Sequence, residues 1–239
     1  MELFFAHIVV LETLSLIVFL YAQFRQRLNF CPSVALGFSI PSALLTYSLF
    51  LQIFFLLGKP SWIYLAEIAI ALICISRIKT SCLLIKRDFR SLKISKYSSF
   101  VLYLLLLPVG YLYLQSVILL PNNHDSLVYN LARSLLYEDA GTLFPKTISD
   151  YTQVCYPIGN DILHYLFLRF DMQRGTGFFS FLAYLGCIFL IYSLVRTYYR
   201  RNTAICATFI FACLPEIVFQ ATTPKNDLAV SLFALSALL

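Results

Sequence analysis

Three short polar clusters contain the residues of this sequence whose types suit chemistry. Each cluster places a carboxylate beside an amide, an imidazole or an ammonium group: Asn123, His124 and Asp125; Tyr156, Pro157, Asn160, Asp161 and His164; Pro224, Lys225, Asn226 and Asp227. A carboxylate can accept the proton of an attacking hydroxyl group when the two lie within hydrogen-bond reach. It could instead ligate a divalent cation, because hard cations prefer oxygen ligands. A neighbouring lysine contacts phosphate as a point charge.

The composition places these clusters in a membrane protein. Of the 239 residues, 60% are hydrophobic and 13% are charged, whereas a soluble domain is roughly half apolar and about a quarter charged. We therefore predict an all-α polytopic membrane protein whose surroundings are the lipid bilayer. The net charge of +6 could favour nucleic acid, but the basic residues flank apolar stretches and indicate topology instead. No nucleic-acid partner is predicted.

The apolar stretches predict six complete transmembrane helices. They cover about 3–24, 33–57, 62–76, 98–120, 177–195 and 204–220. A seventh apolar stretch, 228–239, reaches roughly 18 Å at 1.5 Å per residue, against a hydrocarbon core about 30 Å thick. We therefore expect a truncated seventh helix, and a chain that is the N-terminal part of a longer protein.

Basic residues orient the predicted helices. Seven lysines and arginines lie between Arg77 and Lys96, against a single acidic residue, Asp88. The positive-inside rule places this basic loop, 77–96, in the cytoplasm, and it places the N-terminus and the loops 121–176 and 221–227 outside. Binding of anionic lipid headgroups is an alternative role for the basic loop. The predicted location is the cell membrane, crossed several times.

Two stretches of the long external loop are predicted to be amphipathic helices that lie in the membrane interface. Their apolar residues recur with helical spacing: Leu127, Val128, Leu131, Leu135 and Leu136 in the first, and Ile162, Leu163, Leu166, Phe167 and Phe170 in the second. All three polar clusters then lie outside. Two of them stand where a span meets the interface, and the other begins the second interfacial helix.

Each cluster also has a purely structural interpretation. Asp125 precedes an amphipathic helix and suits its N-cap. Thr223 and Pro224 suit the N-cap and first position of the seventh helix, which would place the third cluster in a first turn that favours negative charge. Asp161 and His164 are three residues apart, so they could pair with each other on one helix face. The spacing alone leaves these alternatives open.

The chain resembles a known family in three runs: HDSLVYNLARSLLYEDAGTLFP, YPIGNDILHYLFL and ATTPKNDLAVSLFALSALL. They are similar to membrane glycosyltransferases of the GT-C superfamily, in the branch related to protein O-mannosyltransferases and lipid A aminoarabinose transferases. In that family a span, a long external loop with an acidic motif, two further spans and a second acidic loop follow in this order. The resemblance implies two regions: 1–97, with three extra transmembrane helices and the basic loop, and 98–239, the start of a GT-C-like core that is incomplete at its C-terminus.

The resemblance implies transfer of a sugar from a polyprenyl-phosphate donor to a glycan, lipid or protein acceptor outside the cytoplasm, with inversion at the anomeric carbon. It assigns the general base to Asp125 and the second acidic position, which orients substrate or an ion, to Asp227. It leaves supporting or phosphate-contacting roles for five further residues: His124, Asp161, His164, Lys225 and Asn226. A divalent metal is a possible cofactor, and no other is predicted.

Two other classes of protein fit parts of the sequence. Glu12, Glu67 and Glu216 lie within or beside spans, and intramembrane acids often line the path of a transporter. Transporters usually carry internal repeats and bind near the midplane, and neither feature is found in this sequence. A non-catalytic membrane protein, with the external loop as a docking surface for a partner, is the other alternative.

Overall fold

The computed structural model describes residues 2–91, 96–121, 127, 130–144 and 158–239. Within these ranges the regular structure is helical and contains no strand. The five longest helices are α1 Glu2–Arg27, α2 Pro32–Leu56, α3 Ile63–Ser91, α4 Lys96–Ile118 and α7 Phe178–Tyr198. The shorter helices are α5 Leu131–Ala140, α6 Tyr165–Leu168, α8 Arg201–Ala212, α9 Pro215–Gln220 and α10 Asp227–Leu238.

Four helices in the described ranges are long and apolar enough to cross a membrane: Glu2–Arg27, Pro32–Leu56, Pro60–Asp88 and Phe178–Tyr198. Two shorter apolar helices are Tyr103–Ile118 and Asp227–Leu238. The all-helical fold and the presence of helices long and apolar enough to span a membrane confirm the coarse prediction from the sequence. The larger number of crossings and the sides on which the loops lie stay predictions.

The third helix is much longer than the predicted span. The sequence predicts a loop from residue 77, but α3 continues without a break to Ser91. The Leu, Lys and Arg residues of this stretch favour helix, and no Gly or Pro interrupts them. Asp88 also ties the end of α3 to α1: it receives hydrogen bonds from the Tyr21 hydroxyl at 2.6 Å and from Arg25 Nε at 2.7 Å. Much of the predicted basic loop is therefore helical.

The predicted sixth span, 204–220, is not one continuous helix. It divides into α8 and α9, and the break falls at Cys213 and Leu214. Pro215 has no backbone N–H and its ring disfavours the helical conformation of the residue before it. Leu214 accordingly has φ −61° and ψ 125°. A proline inside an apolar stretch here ends one helix and begins the next.

The final helix begins later than predicted. Thr223 and Pro224 are not its first residues, because α10 starts at Asp227 with Asn226 flanking it. Thr223 Oγ1 instead donates to the carbonyl of Gln220 at 3.2 Å, inside the preceding turn. Asp227 does lie in the first turn, where a negative charge interacts favourably with the helix dipole.

The two predicted interfacial helices also differ from expectation. In α5 the buried residues include Leu131, Arg133 and Tyr137, whereas Leu135 is 41% exposed. The second stretch is a 3₁₀ turn, Asp161–His164, followed by the four residues of α6, and every one of these eight residues is buried. An amphipathic helix would expose one face. This stretch is therefore part of the protein interior.

The core lies between the N-terminal helices and the helices that follow the long loop. Helix α2 packs against α7, and α7 packs in turn against α8 and α10. Six aromatic side chains are among the largest fully buried groups: Tyr47, Phe55, Phe167, Phe178, Phe179 and Tyr184. Many large apolar side chains point outward, such as Leu65 and Leu107, which are 65% and 73% exposed. A lipid-facing surface has this character.

Candidate functional site

The structure brings two of the three polar clusters together. Asn160 Nδ2 donates to the backbone carbonyl of Lys225 at 3.4 Å. Ser180 Oγ, in the first turn of α7, donates to the same carbonyl at 2.9 Å. Segments that are 65 residues apart in sequence therefore meet beside the start of α7. Ser180 lies in none of the predicted clusters.

A glycine permits the second external loop to pack this closely. A Cβ atom at Gly177 would lie 2.7 Å from the carbonyl oxygen of Thr222 and 3.2 Å from Cα of Ser116. Both neighbours are backbone atoms, which cannot move aside as a flexible side chain does. The absence of a side chain at Gly177 thus allows α4, the start of α7 and the loop before α10 to meet.

Asp161 is held by an arginine from another helix, α5. Arg133 of α5 forms an ion pair with Asp161, and the two residues are 2% and 0% exposed. The backbone carbonyl of Asp161 accepts a further hydrogen bond from Ser134 Oγ at 2.7 Å. Asp161 is therefore a buried structural anion that fixes α5 to the 3₁₀ turn. The sequence feature that could have indicated this pair is the position of Arg133, which lies one helical turn before the buried Tyr137 on the same face of α5.

His164 is enclosed completely and does not pair with Asp161. Its imidazole has no exposed surface and lies 6.3 Å from the ring of Phe179, between ring centroids. The backbones of Pro224 and Thr176 are close enough to interact with the ring, but neither ring nitrogen has a hydrogen bond of normal geometry. Burial lowers the pKa of His164 to about 4, so the imidazole is neutral at physiological pH.

Asp227 differs from these buried residues because its side chain is exposed at the start of α10. Lys225 and Asn226 beside it are half-buried. Of the predicted site residues that the structure describes, Asp227 is thus the carboxylate open to a substrate. His164 lies against the backbone of Pro224 in the same loop, whereas Asp161 is paired with Arg133 of α5. Both side chains are fully buried, so the structure does not place them where a substrate could contact them directly, as the sequence predicts.

Asp125 and His124 lie outside the described residues, as do Asn123, Tyr156 and Pro157. Their roles stay predictions. Among the residues that are described, no three His, Cys, Asp or Glu side chains group as a metal site would require. The possible divalent metal also stays a prediction.

Comparison with known proteins adds no relative. No protein-family model matches the chain. No curated protein and no solved structure matches it either. The resemblance to GT-C glycosyltransferases accordingly stays a prediction based on the three runs quoted above.

Proposed function

We propose that this protein is a membrane glycosyltransferase that transfers a sugar from a polyprenyl-phosphate donor to an acceptor outside the cytoplasm. The observation that carries the proposal is the contact between the two described polar clusters. Asn160 and Ser180 both donate to the Lys225 carbonyl, which holds Asp227 at the exposed edge of that contact. The three runs that resemble GT-C enzymes contain the same clusters.

The spanning helices support a lipid-linked donor. Asp227 opens an apolar helix of 12 residues, so its carboxylate stands at the boundary between apolar and polar surroundings. A polyprenyl-phosphate sugar has its reactive carbon at this kind of boundary, because its chain is buried in lipid and its phosphate and sugar are hydrated. A soluble nucleotide-sugar would gain nothing from such a placement.

The proposed reaction is an in-line displacement. The acceptor hydroxyl oxygen attacks the anomeric carbon, the bond from that carbon to the phosphate oxygen breaks, and the polyprenyl phosphate leaves with the electron pair. The acceptor proton passes to the carboxylate of Asp125, which acts as general base. Asp227 orients the substrate or an ion, and Lys225 offers positive charge to the phosphate. Arg133, Asp161 and His164 hold the loops in place.

The test replaces Asp125 with Asn in the complete protein. Membranes that contain the protein are supplied with a panel of radiolabelled polyprenyl-phosphate sugars, and transfer to endogenous acceptors is measured. Loss of the general base should reduce transfer at least about tenfold, which corresponds to roughly 1.4 kcal/mol of transition-state stabilisation. The matched control is Asp139→Asn, since Asp139 is an exposed carboxylate on α5 outside the proposed site.

Three results would contradict the proposal or part of it. Undiminished transfer by the Asp125→Asn protein would remove Asp125 from catalysis. Absence of saturable binding for every polyprenyl-phosphate sugar in the panel would instead favour a non-catalytic membrane protein. Movement of a substrate across reconstituted vesicles without chemical change would favour the transporter.

A further inference from the structure

A basic surface covers one end of the helical bundle, away from the candidate site. The second half of α3 carries basic residues that are all exposed: Arg77, Lys79, Lys86, Arg87 and Arg90. The end of α1 adds exposed Arg27, and the end of α7 adds exposed Arg196, which Arg200 follows in the connection to α8. We call these residues the basic surface.

Contacts between helices place the three segments at the same end of the bundle. The end of α1 meets the end of α3 where Arg25 Nε donates to Asp88 at 2.7 Å. Helix α2 follows α1, and its second turn meets α7, because the side chain of Leu190 lies against Gly37 and leaves no room for a Cβ atom there. Leu190 is six residues before Arg196 on α7. The last turns of α1, α3 and α7 therefore lie on one side of the molecule.

The candidate site lies at the other end of α7. Ser180, in the first turn of this helix, donates to the Lys225 carbonyl in the loop that leads to Asp227, whereas Arg196 is in the last turn. The 21 residues of α7 extend about 31 Å, close to the hydrocarbon thickness of about 30 Å. In a bilayer crossed by α7, the candidate site lies at one face and the basic surface at the other.

The exposed charges on the second half of α3 are all positive because the one acid among them is buried. Asp88 is the single acidic residue between Arg77 and Lys96, and it is 6% exposed. Its oxygens accept hydrogen bonds from the Tyr21 hydroxyl at 2.6 Å, from Arg25 Nε at 2.7 Å and from Arg25 Nη2 at 2.9 Å. Asp88 thus anchors α3 to α1, and Arg25 balances its charge.

The length of α3 brings the basic residues to the level of the lipid headgroups. Its 29 residues extend about 43 Å, against about 40–45 Å for a bilayer with both headgroup layers. Ile78 and Leu83, which are 49% and 60% exposed, alternate with the basic residues. Such a mixture is typical of helices at the boundary between acyl chains and headgroups, because the apolar stems of Lys and Arg lie along apolar surface while their charges reach the polar layer.

We propose that the basic surface binds the headgroups of anionic phospholipids, in the leaflet opposite the candidate site. Guanidinium groups form paired hydrogen bonds with phosphate, and clusters of basic residues beside a span attract anionic lipid. The sequence alone suggests this role for residues 77–96. The structure adds the ends of α1 and α7 to the surface and removes Asp88 from it. The proposal does not depend on glycosyl transfer.

The test measures which lipids the protein retains. The complete protein is purified in detergent with equal amounts of phosphatidylcholine and phosphatidylglycerol, and native mass spectrometry counts the bound molecules of each. The wild-type protein should retain phosphatidylglycerol preferentially. The double variant Lys86→Gln with Arg90→Gln should reduce the ratio of anionic to zwitterionic lipid at least about fivefold, since a single basic residue near the headgroups contributes roughly that factor.

The matched control also removes two positive charges, but from the opposite end of the bundle. It combines Lys59→Gln with Arg174→Gln. Lys59 is exposed just after α2, and Arg174 Nε lies 3.6 Å from Glu2 Oε2 at the start of α1. This variant should retain the two lipids in the wild-type ratio. An equal decrease in both double variants would overturn the proposal, because net charge alone would then explain it.

Two other outcomes would also overturn it. An unchanged ratio in the Lys86→Gln and Arg90→Gln variant would mean that these charges only orient the helices. Displacement of phosphatidylglycerol from the wild-type protein by equimolar glycerol 3-phosphate would mean that the surface binds a soluble phosphate. Folding is checked by circular dichroism and size-exclusion chromatography. If the α3 variant does not fold, Arg27→Gln with Arg196→Gln replaces it and should lower the ratio in the same way.

Discussion

The imidazole of His164 and the carboxylate of Asp161 occupy one helical turn, and yet they have different partners. Asp161 pairs with Arg133, whereas His164 lies against Phe179 and the backbones of Thr176 and Pro224. Their spacing in sequence placed them on one face, where pairing was possible. The partners that they have come from α5 and from the loop before α10, and nothing in the local spacing indicates this.

Burial of His164 should make the protein sensitive to mild acid. The pKa of His164 is about 4 in the folded chain, against roughly 6.5 when unfolded. The unfolded state therefore binds a proton in this range that the folded state does not, and stability decreases as pH falls from about 6.5 towards about 4. The loss is at most about 3.5 kcal/mol, at roughly 1.4 kcal/mol per pKa unit.

The measurement is the thermal unfolding midpoint in detergent, compared between neutral pH and about pH 5. His164→Gln should unfold at a lower temperature at neutral pH but show a smaller decrease on acidification. His7→Gln is the control, because His7 is exposed on α1. An equal acid-induced decrease in His164→Gln and wild-type protein would assign the sensitivity to other groups.

At the scale of the helices, two boundaries differ from those that the sequence predicts. The break before Pro215 turns one predicted span into α8 and α9, and the continuation of α3 brings Asp88 to Arg25. The break between α8 and α9 could have been predicted from Pro215 alone. The second depends on a contact between residues 63 positions apart, so the end of α3 could not be located from local sequence.

The junction of α4, α7 and the second external loop should tolerate no side chain at Gly177. A methyl group there meets the backbone of Thr222 and Ser116, and such overpacking typically costs about 1–3 kcal/mol. We expect Gly177→Ala to lower the unfolding temperature and to reduce transfer activity if the proposed function is correct, because the loop that carries Asp227 is displaced.

Gly110→Ala provides the comparison within the same fold. Gly110 lies inside α4, and an added Cβ would meet no heavy atom within 4 Å. Alanine favours helix by up to about 1 kcal/mol over glycine, so this variant should be unchanged or more stable. Equal behaviour of the two variants in thermal unfolding would mean that the Gly177 contact is not close in the folded protein.

At the scale of the whole molecule, the N-terminal helices form part of the surroundings of the candidate site. Ser48 Oγ of α2 donates to the carbonyl of Gly159 at 2.6 Å, and the ring of Phe55 meets Tyr165 at 5.0 Å between centroids. These contacts cross the predicted division at residue 97, which itself stays a prediction. Helix α2 thus helps to hold the buried segment that contains the 3₁₀ turn and α6.

The proposed function requires the two acidic loops to lie on one side of the membrane. Single cysteines at Phe144 and Asp227, both exposed, are introduced into a variant that lacks the native cysteines. A membrane-impermeant maleimide should label both positions in intact cells. The control retains only native Cys82, an exposed residue of α3 in the basic region, which should be labelled only after the membrane is opened. Labelling of positions 144 and 227 from opposite sides would exclude a shared external site.

The sequence by itself determined that the protein is helical and carries apolar stretches long enough to cross a membrane, because backbone polar groups in lipid require helices. It also identified the residues with suitable chemistry, including Asp227 at the start of its helix. Only the tertiary structure decided which of them are exposed and which are anchors. The ion pairs of Arg133 with Asp161 and of Glu67 with Arg169 depend on packing between segments that are distant in sequence. Spacing in the sequence does not distinguish a charged side chain that is buried in such a pair from one that is exposed to a substrate.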